Sequence, residues 1–283
     1  TFTNLSDKLG FKNLEERGLG VMSLDYDNDR DLDIYVANDF GDDVLYQNQG
    51  DGTFRDVAKE VGIDLPFNAM GVTTGDYDND LDLDIYVTNG GTNVLYRNNG
   101  DGTFTDVAKE AGVEDRPGIG WGTSFLDYDN DGDLDLYVVN GSLENVGKIP
   151  GNPSWPDRSG PNVLYRNNGD GTFIDIAQNV GATGPTGAGI IMGLGAIDYD
   201  RDGDQDLYIT QDNYNGNTDF LVRVTDDGAS SASSGPPFNN ALSFDTILNV
   251  QINQINDMPI EFNIIDSLYA YQVDSSTFIG DST

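Results

Sequence analysis

Four short stretches of this chain are crowded with carboxylates. In Asp127-Tyr-Asp129-Asn-Asp131-Gly132-Asp133-Leu-Asp135, five aspartates occupy alternate positions of a nine-residue loop. Related loops begin at Asp25, Asp76 and Asp198. Side chains spaced in this way bring several hard oxygens round one point, and their mutual repulsion calls for a cation. Such oxygens select calcium, which takes about six to eight ligands at roughly 2.3 to 2.6 Å, whereas magnesium keeps its waters. Solvated acidic turns would also be rich in aspartate, but they would not keep one spacing through four copies.

The expected side-chain ligands are Asp25, Asp27, Asp29 and Asp33, with a backbone carbonyl from Asp31. The same roles fall to Asp76, Asp78, Asp80 and Asp84 with Asp82, to Asp127, Asp129, Asp131 and Asp135 with Asp133, and to Asp198, Asp200, Asp202 and Asp206 with Asp204. About four calcium ions follow, one per loop. These loops are not EF-hands. Position 12 is Val36, Val87, Val138 or Ile209 instead of a bidentate Glu, so the ninth-position aspartate must substitute for it. Position 6 is Gly132 and Gly203 in the last two loops but Arg30 and Leu81 in the first two. If that position needs a positive φ, a side chain there costs on the order of 1 kcal/mol, and the first two sites are expected to be the weaker. Each loop joins two strands of its own repeat, so ligation energy becomes folding energy and the ions are expected to be structural.

Composition narrows the remaining chemistry. The chain has no cysteine, which excludes disulfides and thiolate chemistry, and no histidine, which removes the commonest general base and transition-metal ligand. Paired carboxylates could hydrolyse glycosides, but nearly all of the aspartates are committed to the loops, so no enzyme is expected. Asp plus Glu number 49 against 14 Lys plus Arg, a formal charge of −35 that repels nucleic acid and anionic membranes. Disorder is countered by 37% hydrophobic residues, 10% aromatic residues and 35 glycines, the mark of a folded, turn-rich protein. No apolar run is long enough to span a membrane, and the start at Thr1-Phe2-Thr3 reads as a processed or truncated terminus.

The loops sit in a repeat. Asp25, Asp76 and Asp127 lie 51 residues apart, and Asp198 follows after 71, the extra length being an insertion. After each loop comes an alternating strand such as Asp33-Ile-Tyr-Val, then a second such as Val44-Leu-Tyr. A Gly-Asp-Gly turn at 50–52, 100–102 and 169–171 leads to a Thr-Phe-x-Asp strand, and a helical turn such as Asp56-Val-Ala-Lys-Glu-Val ends at Gly62. Four short strands per unit is the content of one propeller blade. The expected fold is all-β, with propeller-type blades near 18–62, 69–112, 118–181 and 189–228 forming one domain over 1–228. Thr1 to Leu5 aligns with Thr103 to Val107, so 1–11 is expected to be an orphan last strand, while the fourth repeat is expected to lack that strand after Phe220-Leu-Val-Arg-Val. Residues 229–237 form a Ser/Gly/Pro linker, and 238–283 is expected to be a C-terminal β segment.

The motif Asp-Tyr-Asp-Asn-Asp-Gly-Asp-Leu-Asp-Leu-Tyr-Val, followed by Asn-Val-Leu-Tyr-Arg-Asn-Asn-Gly-Asp-Gly-Thr-Phe, resembles FG-GAP/VCBS repeats over residues 1 to about 212. It is similar to the form these repeats take in bacterial secreted proteins and in cartilage acidic protein, and more distantly to the integrin α-subunit propeller. The resemblance implies propeller blades, a calcium ion in each acidic loop, and extracellular adhesion or scaffolding. Those propellers usually have seven blades and this chain has material for four, so closure in one chain, an open arc and assembly across chains all stay open.

The leading functional expectation is therefore a secreted, calcium-binding structural or adhesion protein with a protein or glycan partner, copies of itself included, that builds a filament by strand exchange. The alternative is a calcium-dependent carbohydrate-binding or processing module of a larger secreted enzyme, with Trp121 or Trp155 as a stacking platform. The insertion over 141–161, with Lys148, Trp155 and Arg158, is the best candidate for a recognition loop. The glycines at 118, 120, 122, 193 and 195 lead into strands and not helices, so tight strand packing is expected of them and not a phosphate cradle.

Overall fold

In the computed structural model the described residues are 2–11, 17–63, 68–114, 119–141, 160–183, 191–197, 205–211, 220–225 and 243–248. Four antiparallel sheets of four strands follow one another along the chain. The first is β1 (Gly18–Leu24), β2 (Asp33–Asn38), β3 (Val44–Asn48) and β4 (Phe54–Asp56); the second is β5 (Ala69–Gly75), β6 (Asp84–Asn89), β7 (Val94–Asn98) and β8 (Phe104–Asp106). The third is β9 (Ile119–Leu126), β10 (Asp135–Gly141), β11 (Val163–Asn167) and β12 (Phe173–Asp175); the fourth is β13 (Ile191–Ile197), β14 (Asp206–Gln211), β15 (Phe220–Thr225) and β16 (Ser243–Leu248). Strand order in each sheet is sequence order, so each repeat is a meander that places its acidic loop between its first two strands. The all-β, blade-type architecture expected from the sequence is the one observed.

The Gly-Asp-Gly turns form as their chemistry requires, with Gly50 at φ 71° and Gly52 at φ 85°. A one-turn helix α1 (Ser6–Leu9) precedes the first unit, and α2 (Ala58–Val61), α3 (Ala108–Ala111) and α4 (Ala177–Val180) close the first three, each helix ended by a left-handed glycine.

Cores lie between sheets rather than within them. Leu24, Tyr35, Leu45, Val57 and Ile63 of the first unit pack with Ile85, Val87, Tyr96 and Phe104 of the second. Tyr86, Leu95 and Val113 of the second meet Leu136, Val138, Tyr165 and Phe173 of the third. This explains a departure from the expected period of two. β6 and β10 are buried at every position, because sheets cover both their faces, whereas β2 retains half-buried positions. Strands β1, β5, β9 and β13 adjoin in that order. A Cβ at Gly71 of β5 would stand 2.1 Å from the Trp121 carbonyl oxygen of β9, and one at Gly120 would stand 2.8 Å from Thr88 Cβ, so these glycines serve close strand packing.

Both ends of the described chain differ from the sequence-based expectation. Residues 2–5 form no strand among the described residues. They nevertheless lead into α1 as a fourth strand would. Asn4 Oδ1 accepts the Ser6 N–H at 3.0 Å, just as Asp56, Asp106 and Asp175 accept the N–H two residues on. Phe11 then packs on Tyr46 and Phe54, with ring centroids 5.0 and 4.7 Å away. The fourth repeat does not lack its last strand. Ser243–Leu248 pairs antiparallel with β15, from Phe220 opposite Leu248 to Thr225 opposite Ser243. The rest of 238–283, and the linker at 229–237, lie outside the described residues.

Candidate metal centres

Within each described acidic loop the strand–turn–strand geometry converges carboxylates. Asp25, Asp27 and Asp29 each offer an oxygen within 4.8 Å of the others; so do Asp76, Asp78 and Asp84, and so do Asp127, Asp129 and Asp135. Two of the trios thus join loop positions 1, 3 and 9, and the first joins positions 1, 3 and 5. Asp33 of the first loop and Asp80 and Asp131 of the others are not part of these trios. The fourth loop, with Asp198, Asp200, Asp202 and Asp204, lies outside the described residues; Asp206 begins β14.

The ninth-position aspartates are the most enclosed, Asp33, Asp84 and Asp135 being at most 1% exposed. Each carboxylate accepts two backbone N–H groups. Asp33 takes those of Tyr26 and Asn48, Asp84 those of Tyr77 and Asn98, and Asp135 those of Tyr128 and Asn167, at 2.8 to 3.2 Å. One carboxylate thereby fastens the acidic loop to the end of the third strand. Burial pushes Asp33 and Asp135 up to about 6 and Asp84 to about 8, against the lowering effect of those same hydrogen bonds. Burial also raises Asp78, with help from Asp80 and Asp76, and raises Asp129.

The seventh-position side chains point elsewhere. Asp82 Oδ1 accepts Asn28 Nδ2 at 2.6 Å, and Asp133 Oδ1 accepts Asn79 Nδ2 at 2.7 Å. One carboxylate oxygen of Asp82 and one of Asp133 are thereby engaged across the repeat boundary and not in their own loops.

The donor set fits a hard cation. Asp25 Oδ1, Asp27 Oδ1 and Asp78 Oδ1 are buried with no hydrogen-bond partner among the described residues. A buried carboxylate oxygen left unmatched is costly, and a divalent ion among these trios would supply the missing partner. Calcium, when bound, would contribute charge neutralisation and would fix the loop.

The sixth position does adopt positive φ, at 76° for Arg30, 78° for Leu81 and 95° for Gly132. Sequence reasoning missed position 4, where Asn28, Asn79 and Asn130 also sit at φ 57 to 59°. It missed as well the asparagines that close the third strand, Asn48, Asn98 and Asn167. The signal for both was present in the repeat itself: an Asn at the same place in every described copy.

Trp121 is half-buried in β9, its indole N–H enclosed without a partner among the described residues, and Thr88 Oγ1 donates to its carbonyl at 2.6 Å. Lys148, Trp155 and Arg158 of the insertion lie outside the described residues. No helix among the described residues is long and apolar enough to cross a membrane.

Known proteins are similar to parts of this chain. Human cartilage acidic protein 1 is 30% identical over 111 residues, covering 38% of this chain and 16% of that protein. The Xenopus tropicalis protein of the same name is 34% identical over 88 residues, covering 31% and 13%. This chain therefore matches less than a fifth of the length of these relatives. Among solved structures, an Agrocybe aegerita lectin described by its specific recognition of non-reducing terminal N-acetylglucosamine superposes with a TM-score of 0.40 at 19% identity, over 78% of this chain and 51% of its own. The FG-GAP-like repeat profile matches residues 25–87, 76–138 and 151–209, more than half of the sequence, and the chain belongs to that repeat family.

Proposed function

We propose that the chain is a non-catalytic, calcium-loaded adhesion or scaffolding module that works outside the cell and associates with copies of itself through its N-terminal half-repeat. The observation that carries the calcium reading is the set of buried, unpartnered carboxylate oxygens on Asp25, Asp27 and Asp78. Membership of the FG-GAP-like repeat family supports an extracellular binding role. The strongly anionic surface disfavours nucleic acid and anionic lipid as partners.

Self-association is supported by the exposed apolar side chains of the N-terminal segment. Phe2 stands where Phe104 and Phe173 stand in the second and third repeats, yet those are 6% and 8% exposed and Phe2 is wholly exposed. Leu5 is likewise exposed where Val57 is buried. A strand-4 segment with its phenylalanine in solvent offers unpaired backbone and an apolar side chain to another copy of the chain.

Sedimentation of the full chain in calcium tests this reading. The expected result is concentration-dependent association that Phe2→Ser weakens while leaving the melting temperature of the monomer unchanged. A monomer at all concentrations, or association indifferent to Phe2→Ser, would remove the self-association. Full association and stability in the presence of a calcium chelator would remove the calcium reading.

A further inference from the structure

We infer that the calcium loops are not independent sites but are wired in series by the asparagines at the ends of the third strands, so that filling one loop raises the affinity of its neighbours. This rests on the calcium reading above and goes beyond it, because it concerns residues that no repeat motif assigns to the metal.

Asp33 Oδ2 accepts the Tyr26 N–H at 3.2 Å. The carbonyl of Tyr26 accepts Nδ2 of Asn98, from the next repeat, at 2.8 Å. The backbone N–H of Asn98 donates to Asp84 Oδ1 at 2.8 Å, and Asp84 Oδ2 accepts the N–H of Tyr77 at 3.2 Å. The pattern then recurs. Asn167 Nδ2 donates to the Tyr77 carbonyl at 2.8 Å, the Asn167 N–H donates to Asp135 Oδ1 at 2.8 Å, and Asp135 Oδ2 accepts the Tyr128 N–H at 2.8 Å. An unbroken chain of hydrogen bonds thus passes through the ninth-position aspartates of all three described loops. Asn98 and Asn167 are 1% and 4% exposed, so water does not replace these bonds cheaply.

A second, exposed link runs beside the first. Asn28 in the first loop donates to Asp82 in the second, and Asn79 in the second donates to Asp133 in the third, at 2.6 and 2.7 Å. Each donor sits between two candidate ligands of its own loop, Asp27 and Asp29 or Asp78 and Asp80. Each acceptor belongs to the seventh-position residue, from which a backbone carbonyl ligand is expected by sequence.

The consequence is mechanical. Tyr26 lies between Asp25 and Asp27, so whatever fixes its carbonyl fixes two ligands of the first loop. A cation in the second loop fixes Asp84, hence the Asn98 backbone, hence the Asn98 amide that holds Tyr26. The same link read backwards carries order from the first loop to the second, as coupling must be reciprocal. Asp82 and Asp133 act here as positioning residues, and so do the four asparagines.

Calorimetric calcium titration of the stripped full chain tests the inference, in about 0.5 M KCl so that through-space charge effects are screened. Asp127→Asn with Asp129→Asn disables the third loop alone, and the remaining loops are expected to bind roughly fivefold more weakly or worse. Asn79→Gly keeps the left-handed backbone, removes only the exposed link and touches no ligand. It is expected to weaken the third loop by about two- to threefold. Remaining loops that titrate unchanged in the first variant, with Asn79→Gly titrating as the parent, would overturn the coupling while leaving calcium binding intact. No calcium heat from the parent chain would overturn both.

Discussion

Tyr35 donates its hydroxyl proton to Asp43 Oδ2 at 2.6 Å, and the two repeats that follow do this differently. There Asn93 and Asn162 donate to the hydroxyls of Tyr86 and Tyr137, which in turn donate to the carbonyls of Val113 and Ala182. A single O–H cannot serve both partners, so the first repeat spends on Asp43 the proton that the others use to hold the segment after their helical turn. Burial pushes Asp43 up to about 6, despite the bonds from the Asn38 N–H and the Tyr35 hydroxyl.

Because the folded state raises this pKa above 3.8, it penalises the ionised form. The penalty is absent below about pH 4, grows as pH rises to about 6 and stays constant above that. Asp43→Asn removes it and restores the arrangement of the next repeats. In excess calcium the variant is expected to exceed the parent in stability by an increment that opens between pH 4 and 6 and reaches on the order of 2 kcal/mol at pH 7. Denaturant melts at pH 4, 5, 6 and 7 check this; a difference that does not change with pH contradicts it.

Arg30 and Leu81 hold φ of 76° and 78°, where a side chain is strained, and Leu81 is largely exposed. Arg30→Gly and Leu81→Gly are each expected to stabilise the calcium-bound chain by about 1 kcal/mol and to tighten the first and second sites. Thermal melts and calcium titrations of the two variants decide it. A loss of stability in both would mean that these side chains do more than tolerate their backbone.

Gly71 and Gly91 should respond to alanine in opposite ways. The first faces the Trp121 carbonyl with no room for a methyl group, so Gly71→Ala is expected to cost on the order of 3 kcal/mol by forcing β5 and β9 apart. The second faces open space without a positive φ, so Gly91→Ala is expected to be neutral or slightly stabilising. Equal melting temperatures for the two variants would contradict the close strand contact.

The repeat made most of this fold legible. Spacing located the blades, Gly-Asp-Gly located the hairpins, and the glycine at position 62 ended a helix where the pattern stopped. What the local pattern could not show was supplied by neighbours. The two-faced burial of β6 and β10 comes from sheets on either side, and residues 2–5 form no strand although they align with one. Residues 243–248 complete the fourth sheet although their sequence departs from the repeat, because an open edge rewards pairing more than it demands a motif. At the sites, spacing brought the aspartates to notice but could not say which oxygens converge. The asparagines passed unread because a neutral amide carries no metal signal until its partners are seen across the blade boundary.

On the proposed reading, a cation among the clustered aspartates holds this anionic chain together. Thermal unfolding of metal-stripped protein, repeated at rising calcium, tests it most directly. Each loop should add about 2.7 kcal/mol once calcium exceeds its Kd a hundredfold, so the melting temperature should climb steeply and fall back when EGTA is added. A melting temperature that is the same in calcium and in EGTA would contradict the account.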